Sequence, residues 1–148
     1  MSPSARPPRS IAQEALIALL RTADQVRRGV ASVIEPHGVT LQQYNVLRIL
    51  RGAGPEGLPT LDIGLRMIEQ APGITRLLDR LIRKQLVSRS RGQQDARQVI
   101  CRITPKGLRL LASLDRPVLE ADEAAMAGLG AAGQRQLVDL LSRLVREP

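Results

Sequence analysis

At Leu86 the apolar period of this chain changes from that of a helix to that of a strand. Upstream, Ile74, Leu77, Leu78, Leu81 and Ile82 fall at i, i+3, i+4, i+7 and i+8, so a helix from Pro72 to Lys84 has one wholly aliphatic face. Downstream, Val87, Arg89 and Arg91 alternate with Ser88 and Ser90, and Val99, Cys101 and Ile103 alternate with Gln98, Ile100 and Arg102. Between them Gly92 to Ala96 is a polar run of residues that tolerate turn geometry, which predicts a β-hairpin with Arg91 near one end of its tip and Arg97 near the other. Helical patterns fill most of the rest, so the predicted fold is mainly α with a minor β wing.

The polar face of the Pro72–Lys84 helix carries Thr75, Arg76, Asp79, Arg80 and Arg83. Anchored by its back, such a helix presents guanidinium donors and one hydroxyl. With a short helix and a tight turn before it, it has the form of a helix-turn-helix recognition element, whose N-terminal residues reach base edges in the major groove. The plainer reading is a core helix with a solvated charged face. Asp79 favours the plainer one, since Arg76 three residues before it and Arg83 four residues after it are both placed to pair with it.

Charge distribution weighs the other way. Pro72 to Arg109 holds ten basic residues against two acids, the whole of the chain's net +8, while the other 110 residues hold twelve of each. A field this concentrated marks a surface that faces a polyanion. With one Tyr, no Phe and no Trp, stacking platforms for single-stranded bases are missing, so the partner indicated is double-stranded DNA. A basic hairpin after a recognition helix is placed to reach phosphates or the neighbouring minor groove, where a narrow width concentrates negative potential for an arginine. Asp95, two residues before Arg97, is placed to brace that guanidinium by a charge-assisted bond, or else serves as a simple Asx-turn residue.

The flanks read as helices. Ser2 to Arg9 is expected to be a disordered basic arm, ended by Ser10 as an N-cap. Leu16, Leu19, Ala23, Val26, Val30 and Val33 then step by 3, 4, 3, 4 and 3, the seam spacing of a helix that packs along another. Extended to Glu35, it is roughly 38 Å long, more than a small core covers. Pro36, His37 and Gly38 end it, Thr40 and Gln43 form a capping box for the next helix, and Thr60 is expected to cap a short helix from Leu61 to about Ile68. Thr104 caps a further helix with Pro105 in its first turn. Pro117 is expected to kink or interrupt that helix. After a breaker region from Gly128 to Gly133, Leu137, Leu140, Leu141, Leu144 and Val145 define a last amphipathic helix. The organisation expected is an arm over 1–9, an N-terminal dimerisation helix over 10–37, a winged helix-turn-helix lobe over 38–104 and C-terminal dimerisation helices over 105–148. Leu16, Leu19, Val26, Leu137, Leu141 and Leu144 are the candidate contacts with a second subunit.

From Met67 to Leu111 the run MIEQAPGITRLLDRLIRKQLVSRSRGQQDARQVICRITPKGLRLL resembles the MarR family of winged-helix transcriptional regulators. The resemblance lies in the I-T-R-L-L-D-R-L helix, the K-Q-L-V exit, the D-A-R wing element and the I-T-P-K-G-L start of the next helix. It extends more weakly over most of the chain. It implies a homodimer on a pseudo-palindromic operator, more often repressing than activating. By position, Thr75 and Arg76 would read the major groove with Gln70, Pro72, Gly73 and Arg80 nearby, Arg97 would enter the minor groove, and Asp95 would brace it. Many relatives carry an acid followed by Lys-Gly where this chain has Arg83, Lys84 and Gln85. The resemblance also implies a small-molecule effector pocket near Tyr44, although a single buried Tyr reads first as core with a satisfied hydroxyl.

Other functions find little. The apolar Ala15 to Leu20 patch is too short for a signal core or a membrane span, which with the lone Cys101 suggests a cytoplasmic protein. By strand alternation Cys101 faces the core with Val99 and Ile103, and a redox-sensing thiol is the minor alternative. His37 is the only histidine and no cluster of acidic or sulfur residues lies near it, so no metal and no cofactor is expected. Phosphate-binding glycine motifs and nucleophile sets are absent, which argues against an enzyme. The remaining alternatives are a winged-helix protein-interaction module and a non-specific DNA binder.

Overall fold

The computed structural model describes residues 7–69 and 73–145. Helix α1 (Ile11–Ile34) and α2 (Leu41–Ala53) are followed by a two-residue strand β1 (Leu58–Pro59), then by α3 (Thr60–Arg66) and α4 (Ile74–Arg83). The hairpin β2 (Val87–Arg91) and β3 (Val99–Ile103) leads into α5 (Pro105–Met126) and α6 (Gly130–Ser142). The hairpin register pairs Val87 with Ile103 and Arg91 with Val99, and β1 adds to the other side of β3, Leu58 opposite Cys101. No sequence signal marked β1, because two residues carry no period.

Two capping boxes start the first helices, Ser10 with Gln13 and Thr40 with Gln43, each a reciprocal pair of side-chain-to-backbone bonds. Thr104 caps α5 by accepting from the Gly107 N–H at 3.1 Å. Four expectations are corrected. Thr60 does not cap α3: it is the first helical residue, Pro59 precedes it, and its hydroxyl lies 3.9 Å from the Cys101 sulfur. Helix α4 begins at Ile74 rather than Pro72, which lies outside the described residues, with Gly73 at φ +95° as its N-cap. Pro117 does not interrupt α5, which runs through it for 22 residues, the neighbouring Leu114 and Val118 being fixed in the core. The Gly128–Gly133 break shrinks to one 3-10 turn (Ala127–Leu129), and Gly133 lies inside α6.

One aliphatic core joins α1 to α5 and the sheet. Ile34 from α1, Val46, Leu47 and Leu50 from α2, Ile63 from α3, Leu78 and Leu81 from α4, Cys101 from β3 and Leu111 and Leu114 from α5 are almost completely buried together. Helix α1 lies along α5, and α2 is tied to α5 by a two-pronged bond from Arg51 to Asp115, both distances 2.9 Å.

The end of α4 aims the wing. The Leu86 N–H donates to Leu81 O at 3.0 Å and the Gln85 N–H to Ile82 O at 2.9 Å, the paired bonds of a Schellman turn, with both leucines buried in the core. The position that must be left-handed is Gln85, at φ +61°. The turn therefore forms with a side chain where glycine is the unstrained choice. Gln85→Gly should raise stability by roughly 0.5–1 kcal/mol in urea unfolding, since relieved strain exceeds the added chain entropy. A destabilised variant would show that the Gln85 side chain has a role the backbone does not reveal.

Candidate nucleic-acid interface

Helix α4 is held by Leu77, Leu78 and Leu81, all buried, with Ile74 and Ile82 half-buried at the edges of the same face. Thr75, Arg76, Arg80 and Arg83 are exposed on the other side. The expected pairing of Asp79 within its own helix does not occur. Its carboxylate accepts instead from Arg89 of β2, Nη1 to Oδ1 at 2.7 Å, because the hairpin folds back beside α4 and delivers a side chain from a backbone already fixed in the sheet. Arg76, Arg80 and Arg83 have no protein partner among the described residues. The sequence places Arg83 on this polar face, but the family resemblance gives it no contact with DNA. Its spacing of seven from Arg76, nearly two full turns, was the signal available.

Of the ten bases between Pro72 and Arg109, four are engaged inside the protein. Arg89 holds Asp79. Arg102 donates to Ser90 Oγ at 2.7 Å and to Pro55 O at 3.1 Å, fastening the hairpin to the turn before β1. Lys84 reaches back to Gly38 O and to Gln43 Oε1, and Lys106 caps Lys84 O at 3.0 Å. Arg91 and Arg97 stay exposed at the wing, and Arg109 on α5.

At the wing tip the Gly92 N–H donates to Gln98 O and the Gln98 N–H to Asp95 O. Asp95 does not brace the Arg97 guanidinium. Its Oδ1 accepts the Arg97 backbone N–H at 2.9 Å, an Asx turn that fixes where the arginine leaves the chain and leaves its head free in solvent. Gly73 forms the left-handed turn into α4; the candidates Gln70 and Pro72 lie outside the described residues.

The remaining candidates are placed as follows. Leu16 and Leu144 are 56% and 69% exposed, Leu19 is exposed, and Val26, Leu137 and Leu141 are half-buried. No described residue of α6 is buried. Tyr44 is 5% exposed, with the Arg48 guanidinium 5.9 Å from its ring centre. Burial pushes its hydroxyl above the usual phenol range, with Arg48 pulling the other way. Cys101 is buried as expected, and burial raises its thiol pKa, with the Thr60 hydroxyl and then Arg89 and Arg102 opposing. Alkylation of Cys101 should therefore be slow in the folded protein at neutral pH and rapid after unfolding. Equal rates would place the thiol at the surface.

Comparison with known proteins meets this geometry. Residues 30–114 match the SarA/Rot family of transcriptional regulators. A crystal structure of a MarR transcription factor from Planctomyces limnophilus is 38% identical, with a TM-score of 0.71 over 92% of this chain and 98% of the other. The chain belongs to the MarR family of winged-helix transcriptional regulators. A curated relative, the HTH-type transcriptional regulator TtmR of Methylorubrum extorquens, is 32% identical over 93% of this chain and 68% of its own length. The MarR fold is shared with a mutant MarR of Escherichia coli solved with operator DNA, 22% identical with a TM-score of 0.79, covering 92% of this chain and 95% of that one. Within the MarR frame α3 and α4 are the helix-turn-helix and β2–β3 the wing. No helix among the described residues is long and apolar enough to cross a membrane.

Proposed function

We propose that this chain is a homodimeric repressor that binds a pseudo-palindromic operator sequence-specifically and is released by a small-molecule effector. The observation that carries the reading is the solvent face of α4, whose arginines have no protein partner among the described residues, their own helix's carboxylate being taken by the wing. Thr75 and Arg76 read base edges, with Gly73 and Arg80 beside them, and the family resemblance adds Gln70 and Pro72 to the DNA contacts. Arg83 and Arg91 contact phosphate, and Arg97, oriented by the Asp95 turn, enters the minor groove.

Dimerisation follows from what the single chain leaves uncovered. Leu16, Leu19 and Val26 on α1, Leu137 and Leu141 on α6, and Leu144 just beyond the end of α6 form apolar surface that one subunit cannot bury. Two copies of α4 then sit in successive major grooves if their separation is about 34 Å. A ligand that prefers a wider or narrower spread releases the operator, by no more than that preference. A regulator of this fold from Bordetella bronchiseptica has its DNA binding regulated by 6-hydroxynicotinic acid, which supports an effector here. Tyr44 and Arg48, at the α2 face towards α5, are the residues to test for it.

Binding to duplexes selected from a random pool tests the reading. Five arginines per subunit face the duplex, enough charge for a dimer to neutralise about eight phosphates. Log affinity should then fall against log salt with a slope of about −7. Enrichment without an inverted repeat would leave a non-specific binder. Acidic proteins bound while duplexes are ignored would leave an interaction module.

A further inference from the structure

We propose that Arg89 governs DNA binding without touching DNA, by holding the Asp79 carboxylate away from the arginines of its own helix. The inference rests on the DNA-facing role of α4 proposed above. Asp79 lies three residues after Arg76 and four before Arg83, the two spacings at which helical side chains meet. An acid four residues ahead of a base is the better of the two orientations, so an isolated α4 would spend Arg83, or Arg76, on its own carboxylate. A guanidinium engaged that way is lost to phosphate, and a bare carboxylate on the same face repels it.

The fold removes this competition. Arg89 projects from β2 at a position whose backbone is fixed opposite Cys101, and its Nη1 meets Asp79 Oδ1 at 2.7 Å. Both side chains are about half exposed, 37% for Asp79 and 47% for Arg89, so the pair adds little to stability. Its effect lies in which arginine the carboxylate is denied. Asp79 is the one acid on α4, and the intrahelical partners it could take are the ones the major groove requires.

The test uses one selected duplex and five full-length proteins: wild type, Arg89→Ala, Asp79→Asn, the double variant of these two, and Arg89→Ala with Asp62→Asn. The last two both carry the wild-type net charge, but Asp62 lies on α3. Arg89→Ala should bind about tenfold more weakly, Asp79→Asn at least as tightly as wild type, and the double variant within about threefold of Asp79→Asn, a coupling of the size neighbouring charges show. The Asp62 double should stay weak. If Asp79→Asn is as damaging as Arg89→Ala, or the double variant fails to recover, Arg89 serves as a wing tether or a phosphate ligand and the proposal is wrong. Recovery by the Asp62 double would reduce the effect to net charge and overturn it equally.

A second readout needs no DNA. In the NMR spectrum of free Arg89→Ala the Arg83 or Arg76 Nε–H should become protected from exchange, and adding Asp79→Asn should abolish that protection. Its absence overturns the proposal in a folded sample. Its presence in a protein that ignores every duplex would sink the regulator reading and leave the sequestration standing.

Discussion

In Arg76→Ala the selected operator should lose about 1–3 kcal/mol of discrimination at one base pair per half-site, with the other positions still preferred. The side chain leaves the first turn and a half of α4, the part of a recognition helix that reaches deepest, and nothing in the described protein competes for its guanidinium. Arg83→Ala serves as the contrast. Near the helix end it should weaken all sequences alike and make the salt dependence shallower by about 2 for a dimer, leaving the selected motif unchanged. Competition titrations against single-base variants of the duplex separate the two. Identical specificity profiles for wild type and Arg76→Ala would remove Arg76 from base reading.

Leu81→Ala should cost about 2–5 kcal/mol of stability. Leu81 is 0% exposed, sits in the middle of the face that anchors α4, and accepts the Leu86 N–H at the Schellman turn. Truncation opens a cavity under the recognition helix where the hairpin departs. Urea unfolding at matched subunit concentration measures the loss, matched because dimer stability depends on concentration. Affinity for the operator should fall as well, under conditions where the variant is still folded. A loss below about 1 kcal/mol would mean that the site collapses around the smaller residue and that the α4 anchor is less tightly packed than its burial implies.

Much of this was readable in the chain itself, and the reasons differ by element. The switch of period at Leu86 marked α4 and the hairpin because each buries one face, and burial of one face is what writes a period into a sequence. Both capping boxes were visible or half-visible as a hydroxyl and a glutamine three residues apart. Partners across elements were not. The reading that paired Asp79 within α4 used the only neighbours a linear chain reveals, and the hairpin supplied a better one. Charge counting met the same limit, since Lys84, Arg89, Arg102 and Lys106 look like ligands for a polyanion and are fastened to the protein. Pro117 failed as a breaker because α5 is secured by core residues on both sides of it, which outweighs one missing backbone bond.

The exit of α4 is stitched to the start of α5 at three points. The Thr104 N–H donates to Leu86 O, its hydroxyl to Gln85 O, and Lys106 to Lys84 O, while a methyl group at Gly107 would lie 2.5 Å from Leu86 O. Such a joint has no play. A tilt of the long helix α5 would be carried into α4 as a lever carries its handle's motion to its tip, so in the proposed dimer whatever sets the angle between the subunits also sets the gauge at which the two copies of α4 stand.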